Sequence, residues 1–111
     1  MSFEQIIEKR GYPVQIIKVQ EQNVNGIIEQ VESEPIQTKA IIQPLNHEEL
    51  KYWNDLGFAK AQLKAYFKAT EEIDIGDIVI IDGRRYHVKT FENHTAIGLE
   101  GYKVVILGEK P

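Results

Sequence analysis

Residues 76–89 read GDIVIIDGRRYHVK, and this stretch decides the fold. A β-branched run ends at Asp82-Gly83, a pair that favours a tight two-residue reversal because both positions accept a positive φ. The returning segment alternates, with Tyr86, Val88 and Thr90 on one face and Arg85, His87 and Lys89 on the other. The pattern predicts a β-hairpin with one buried and one wetter face.

Other segments have the composition of short strands and extend this hairpin into a sheet. Val14–Val19, Thr38–Gln43 and Tyr102–Leu107 are rich in β-branched residues. Ala61–Lys68 alternates apolar and polar side chains and predicts a further strand, with a helix as the alternative because Ala, Lys and Gln favour helices. Residues 92–98 are polar and predict a connection.

Two capping motifs predict short helices. Ser2 and Gln5 form a capping box before a helix over residues 3–10, and Gly11 suits the left-handed position that ends it. Asn46 and Glu49 form a second capping motif, which opens a helix in the middle of the chain. Its apolar stripe consists of Leu50, Trp53 and Leu56.

These elements predict one mainly β domain over residues 1–111. The chain has 111 residues, of which 42% are hydrophobic and 27% charged, a mix typical of a globular domain with a single core. Five or six short strands over this length favour a small antiparallel β-barrel, because closure removes unpaired strand edges. The barrel carries a short N-terminal helix and one inserted helix.

Residues 20–35 interrupt the strand pattern with a polar segment. Asn25-Gly26 is a turn signal within it, flanked by Gln, Glu and Asn residues. Loops of this length in small domains are usually functional or disordered. The segment predicts a long mobile loop, and a loosely held hairpin is the alternative.

Charge and cysteine content narrow the function classes. Thirteen basic and 17 acidic residues give a formal net charge of −4, which argues against a nucleic-acid binder that depends on a basic patch. The absence of cysteine excludes disulfides and thiolate metal sites. The start of the chain lacks a signal-peptide pattern, and no apolar run is long enough to span a membrane, so an intracellular setting is expected.

The polar residues do not form a recognisable catalytic or metal-binding motif. His47, His87 and His94 lack ligand spacing, and the only serines are Ser2 and Ser33. An acidic cluster before the hairpin predicts a solvated turn rather than a cation site; it comprises Glu71, Glu72, Asp74 and Asp77. We therefore expect no enzymatic activity, no metal and no cofactor.

A few exposed positions are candidates for contact with a partner. Arg84 and Arg85, at the tip of the predicted hairpin, suit phosphates or a partner's carboxylate, although charged tips also serve solubility. Trp53 fits the apolar stripe of the middle helix and is expected in the core. Tyr52 lies off that stripe and is the better interface candidate.

The order of these features resembles the head-tail connector proteins of tailed bacteriophages and prophages, also called head closure or head completion proteins. The resemblance covers residues 11–107 and rests on Gly11-Tyr12-Pro13-Val14, on Lys39-Ala40-Ile41-Ile42-Gln43-Pro44, on the helix ending in Gly57, and on the pattern Gly76-Asp77, Asp82-Gly83, Tyr86-x-Val88.

The resemblance implies a β-barrel subunit that is a monomer in isolation and forms a ring, often of twelve copies, between the capsid portal and the tail. It implies a virion neck location, with assembly in the host cytoplasm, portal or adaptor and tail-side partners, and DNA passing through without specific binding. Family members commonly carry a long loop that orders on assembly, and residues 20–35 match it. The candidate interface residues are Asn23, Val24, Asn25, Gly26, Ile27, Ile28, Tyr52, Arg84 and Arg85.

Three alternatives remain open. A phage tail or baseplate structural protein would share similar hairpins. An OB-like module for single-stranded nucleic acid would use Tyr86 for stacking, with Arg84, Arg85 and Lys89 as its charged surface. An enzyme with a metal ion on the acidic cluster ranks last, because no second ligand group has a recognisable spacing.

Overall fold

The computed structural model describes residues 3–58, 60–96 and 99–109. Strands account for 59% of the chain, which confirms the mainly β class. In chain order the elements are α1 (Phe3–Arg10), β1 (Tyr12–Ile17), β2 (Val19–Val24), β3 (Ile27–Glu32), β4 (Ile36–Pro44), α2 (His47–Asp55), β5 (Ala61–Lys68), β6 (Ile78–Ile81), β7 (Arg84–Ala96) and β8 (Leu99–Gly108).

Six strands close into the predicted antiparallel barrel, in the order β1-β4-β5-β8-β7-β6. The ring closes where β1 pairs with β6, with Ile16 opposite Val79. The hairpin that decided the fold is β6–β7: Ile81 pairs with Arg84 across Asp82-Gly83, and both turn residues have positive φ, 52° and 78°. The tight primed turn and the β5 strand are therefore confirmed.

Inward-facing side chains from successive strands form rows across the barrel. One row joins Ile42, Ala65, Val105 and Phe91, which lie opposite one another on β4, β5, β8 and β7. Ala65 and Val105 are fully buried, and the other two pack against the core. Phe67 is the largest of the fully buried side chains. The alternation of β5 thus places its apolar face in the core, as predicted.

A β-bulge changes which residues of β7 face the core. The register between β7 and β8 shifts between Val88 and Thr90, leaving Lys89 as the extra residue. Core packing passes from Tyr86 and Val88 to Phe91 rather than to Thr90. The sequence pattern placed Thr90 on the buried face, and the bulge is the reason that it was wrong.

Both predicted helices are present, but their details differ from the sequence-based expectations. Ile7 of α1 is fully buried, whereas the expected N-cap Ser2 lies outside the described residues. Gly11 does not have the predicted left-handed φ. It is instead needed for a close approach, because a Cβ there would lie 2.2 Å from the Ile7 carbonyl oxygen and 2.9 Å from the Lys39 Cβ.

The middle helix α2 has the predicted capping box. The Asn46 side chain accepts from the Glu49 amide at 2.8 Å, and the Glu49 carboxylate accepts from the Asn46 amide at 3.2 Å. Gly57, with φ 93°, ends the helix in a Schellman arrangement: its amide and that of Phe58 donate to the carbonyls of Asn54 and Trp53. Neither helix in the described part of the chain has the length and apolarity to cross a membrane.

Two strand boundaries also differ from the expectations. The predicted strand over residues 14–19 breaks at Lys18, so β1 ends at Ile17 and β2 begins at Val19. The predicted polar connection over residues 92–98 is strand as far as Ala96, because β7 continues its pairing with β8. Residues 97 and 98 lie outside the described part.

Candidate assembly interface

The segment between β1 and β4 forms a two-stranded hairpin outside the barrel, here called the arm (Val19–Glu32). Val19 pairs with Glu32 at its base, and Val24 pairs with Ile27 at its tip. The turn residues Asn25 and Gly26 have φ 54° and 83°, and the Gly26 amide donates to the Asn23 side chain at 3.0 Å. Of the two alternatives for residues 20–35, the structure shows the hairpin; its mobility stays a prediction.

The arm projects from the barrel and exposes aliphatic side chains at its tip. Within the described residues, β2 and β3 pair only with each other. The molecule measures 51 Å by 30 Å by 30 Å, and the excess length matches a six-residue strand of about 20 Å. Val24, Ile27 and Ile28 are 43%, 64% and 69% exposed. The tip therefore offers apolar surface to another molecule.

The base of the arm is closed by Lys18 and Ser33. The Lys18 amide donates to the Ser33 hydroxyl at 3.0 Å, and the Ser33 amide donates to the Lys18 carbonyl at 2.9 Å. These reciprocal bonds hold together the two points where the chain leaves and re-enters the barrel. The arm consequently starts from a defined position.

A buried carboxylate, Asp77, fixes this base to the rest of the fold. Asp77 is 2% exposed and accepts three hydrogen bonds: from Lys18 Nζ at 2.5 Å, from the Asp74 amide at 2.8 Å and from the Val19 amide at 3.1 Å. Its own backbone carbonyl accepts from the Val88 amide at 2.9 Å. One side chain thus joins the start of the arm to the loop before β6.

Electrostatics at the base favour the charged forms of Lys18 and Asp74. Burial lowers the pKa of Lys18, but hydrogen bonds to Asp74 and Asp77 outweigh it, so the pKa is raised overall. The hydrogen bond from Lys18, 2.8 Å long, lowers the pKa of Asp74. The base is therefore an ion cluster in which one ammonium serves two carboxylates.

The two arginines of the β6–β7 turn have different surroundings. Arg84 is exposed. Arg85 donates through one guanidinium nitrogen to both carboxylate oxygens of Glu32 on the arm, each at 2.7 Å. The sequence analysis considered phosphates or a partner's carboxylate as ligands of these arginines. Arg85 does bind a carboxylate, but this carboxylate belongs to its own chain.

A second candidate surface lies on α2. Tyr52 is 57% exposed and packs edge-on against Trp53 at a ring-centroid distance of 5.1 Å. Trp53 is half-buried in a small cluster with Leu45, Ala61 and Ile106, which agrees with its predicted packing role. Leu50 and Leu56 are 39% and 53% exposed, so only Trp53 of the predicted stripe packs inward.

The structure brings together some of the predicted interface residues and separates others. Six of them lie at the tip of the arm: Asn23, Val24, Asn25, Gly26, Ile27 and Ile28. Arg85 reaches Glu32 at the base of the arm, Arg84 lies at the β6–β7 turn, and Tyr52 is on α2, beyond the far end of β4. The proposed nucleic-acid surface is divided, because Tyr86 packs against the core while Arg85 is paired with Glu32.

Other candidate sites remain dispersed among the described residues. No group of three or more His, Asp or Glu side chains in the described part could hold a metal ion. His47 is exposed on α2 and His87 is half-buried on β7, whereas the His94 side chain lies outside the description.

The solvated-turn prediction is wrong for Asp77, a buried residue at the base of the arm whose structural role the sequence analysis missed. In the sequence, Asp77 is only an acid that directly precedes an apolar run. Its partner Lys18 lies in a different predicted strand, so nothing in the sequence links the two residues. No protein-family model matches this chain, and no curated protein sequence is significantly similar to it.

Proposed function

We propose that this chain is a structural assembly protein of a tailed phage particle, a ring subunit that joins the capsid portal to the tail at the virion neck. The sequence resemblance to head-tail connector proteins supports this proposal. Three of its four motifs lie on β1, on β4 and on the β6–β7 hairpin, which together are four neighbouring strands of the barrel. The segment matching the connector loop is the arm.

The observation that carries the proposal is the exposed apolar tip of an arm that is anchored at its base. Ile27 and Ile28 lie on opposite faces of the arm, since neighbouring residues of a strand alternate, and each is more than 60% exposed. Full burial of such a side chain contributes about 1.5–3 kcal/mol. Contact with a neighbouring subunit would supply that burial.

Acidity is the second feature that supports a connector role. The arm contains Glu21, Glu29 and Glu32 and no lysine or arginine, within a chain of net charge −4. An acidic channel lining repels phosphates, so DNA would slide past such subunits without specific binding. Replacing arm acids by lysine should slow DNA ejection; unchanged ejection kinetics would remove this part of the proposal.

The test is an arm-truncated variant in the phage or prophage that encodes the chain. Residues 20–31 are replaced by Asn-Gly, which suits a two-residue turn and retains the Val19–Glu32 pair and the Asp77 contacts. The matched control is Ile75→Ser, which removes an apolar side chain that is 65% exposed outside the arm.

The truncated strain should accumulate separate heads and tails in electron micrographs, while the control strain yields joined particles. Antibody against the barrel should label the neck of complete particles. Joined, infectious particles from the truncated strain would refute the connector role. Label at the distal end of the tail would instead favour a tail or baseplate protein.

A further inference from the structure

A groove beside α2 combines apolar and positively charged side chains. Its volume is about 450 Å³, and His47, Leu50, Lys51, Asn54, Phe58 and Lys60 line it. The described lining residues include no carboxylate. An aliphatic segment that carries negative charge would fit these properties, because Leu50 and Phe58 offer apolar contact and the lysines offer ion pairs.

The tip of the arm has the complementary chemistry. Ile27 and Ile28 are the most exposed aliphatic residues of the arm, and Glu29 follows them directly on β3. Glu29 and Glu21 are exposed, and the arm has no basic residue that would repel the lysines of the groove. Glu29 shares one face of the arm with Ile27, and Glu21 shares the other face with Ile28, so each face of the tip combines an aliphatic and an acidic side chain.

The two surfaces lie at opposite ends of β4 in one chain. The arm ends just before Ile36, where β4 begins, and α2 follows Pro44, where β4 ends. A nine-residue strand separates its ends by on the order of 25 Å. No residue of the arm lines the groove. A contact between the two surfaces therefore joins two copies.

We infer that the arm tip of one copy docks in the α2 groove of the next copy. This contact deepens the proposed function, on which it rests, by assigning the surfaces that join neighbours. It is heterologous, since different patches of the two copies meet, and such contacts generate rings when the rotation between copies closes. Tyr52 does not line the groove, because helical periodicity places it on a different face of α2 from Leu50 and Asn54.

Disulfide mapping tests the contact, since the chain has no native cysteine. Ile28→Cys and Leu50→Cys are prepared as separate proteins, mixed at high concentration and oxidised. We expect a disulfide-linked heterodimer of tip and groove. The matched control mixes Leu50→Cys with Ile75→Cys, because Ile75 is exposed to a similar degree, 65% against 69% for Ile28.

Two outcomes would overturn the inference. One is a heterodimer yield no higher than that of the Ile75 control pair. The other is a predominance of dimers between Ile28→Cys copies, which would mean that the tips meet each other. Neither outcome depends on particle assembly.

A charge exchange supplies the second test. Lys51→Glu with Lys60→Glu in the groove protein should lower the heterodimer yield about fivefold, the effect of losing about 1 kcal/mol of exposed ion pairing. Glu21→Lys in the tip protein, on the same face of the arm as Ile28, should restore much of the yield. Unchanged yields in both exchanges would also overturn the inference.

The disulfide and particle experiments fail independently. Separate heads and tails from the truncated strain without tip-to-groove disulfides would retain the connector role and reject this contact. Tip-to-groove disulfides together with joined particles from the truncated strain would retain the contact and reject the connector role.

Discussion

The buried carboxylate of Asp77 gives the sharpest prediction about stability. Asp77→Ala removes the acceptor of three hydrogen bonds, two from backbone amides and one from Lys18 Nζ. A buried donor left without a partner costs about 1–3 kcal/mol. The amides of Val19 and Asp74 are partly buried, so each lost acceptor should cost near the lower end of this range. With the lost contact to Lys18, the free energy of unfolding should fall by about 3 kcal/mol.

The ion pair itself adds less than a fully buried pair would. Removing one partner of a buried pair costs about 3–5 kcal/mol. Lys18, however, keeps its contact with Asp74, and its side chain is 19% exposed, so water can reach the ammonium. The predicted loss of stability for Asp77→Ala therefore stays at about 3 kcal/mol, the lower limit of the range for buried pairs. Small domains have about 5–15 kcal/mol of stability, so the variant should still fold.

Urea denaturation of three variants measures the effect. Asp74→Ala is the matched control: it removes the other carboxylate on Lys18, which is 74% exposed, and should cost no more than about 1 kcal/mol. Asp77→Asn retains an acceptor oxygen and should be intermediate. Hydrogen exchange at the Val19 and Ser33 amides should accelerate in Asp77→Ala. A loss no larger than that of Asp74→Ala, with unchanged exchange, would refute the reasoning.

Three further predictions concern other contacts. Gly108→Ala should lower the free energy of unfolding by about 2 kcal/mol or more, because its Cβ would lie 2.3 Å from a backbone carbonyl oxygen; thermal unfolding checks this. The hydrogen bond from Lys64 lowers the pKa of Glu49. The pair therefore stabilises the fold above pH 4.5, and this contribution is lost as the pH falls through the lowered pKa. In Lys64→Met, an NMR titration should find a higher pKa for Glu49. Arg85→Gln breaks an exposed pair with Glu32 and should change the free energy of unfolding by less than about 1 kcal/mol, with the difference disappearing in high salt.

The sequence was sufficient for two tight turns and for the cap of the middle helix. Asp82-Gly83 and Asn25-Gly26 specify two-residue turns through their positive φ, and in both hairpins the residues flanking the turn pair directly. The Asn46–Glu49 capping box likewise depends on residues three apart. Signals of this kind lie within a few neighbouring positions, so a single sequence contains them.

Contacts between residues far apart in the chain could not be predicted from the sequence. Asp77 and Lys18 are 59 residues apart, and the closure of the barrel brings them together. Without that closure, an acid before a strand has the pattern of an ordinary turn. The bulge at Lys89 was missed for a related reason, because it arises from a register shift between β7 and β8 and not from the composition of β7.

The position of Asp77 gives the arm a mechanical connection to the barrel. Force applied at the tip reaches the base through the paired β2 and β3, whose ends are joined by Lys18 and Ser33. From Lys18 it passes through Asp77 to the loop before β6, and through the Asp77 carbonyl to β7. A neighbour that holds the tip would thus act on the loop before β6 and on β7, and not on a free linker. Asp77→Ala should therefore weaken tip-to-groove cross-linking even in conditions where the barrel stays folded, because the arm would lose its fixed direction.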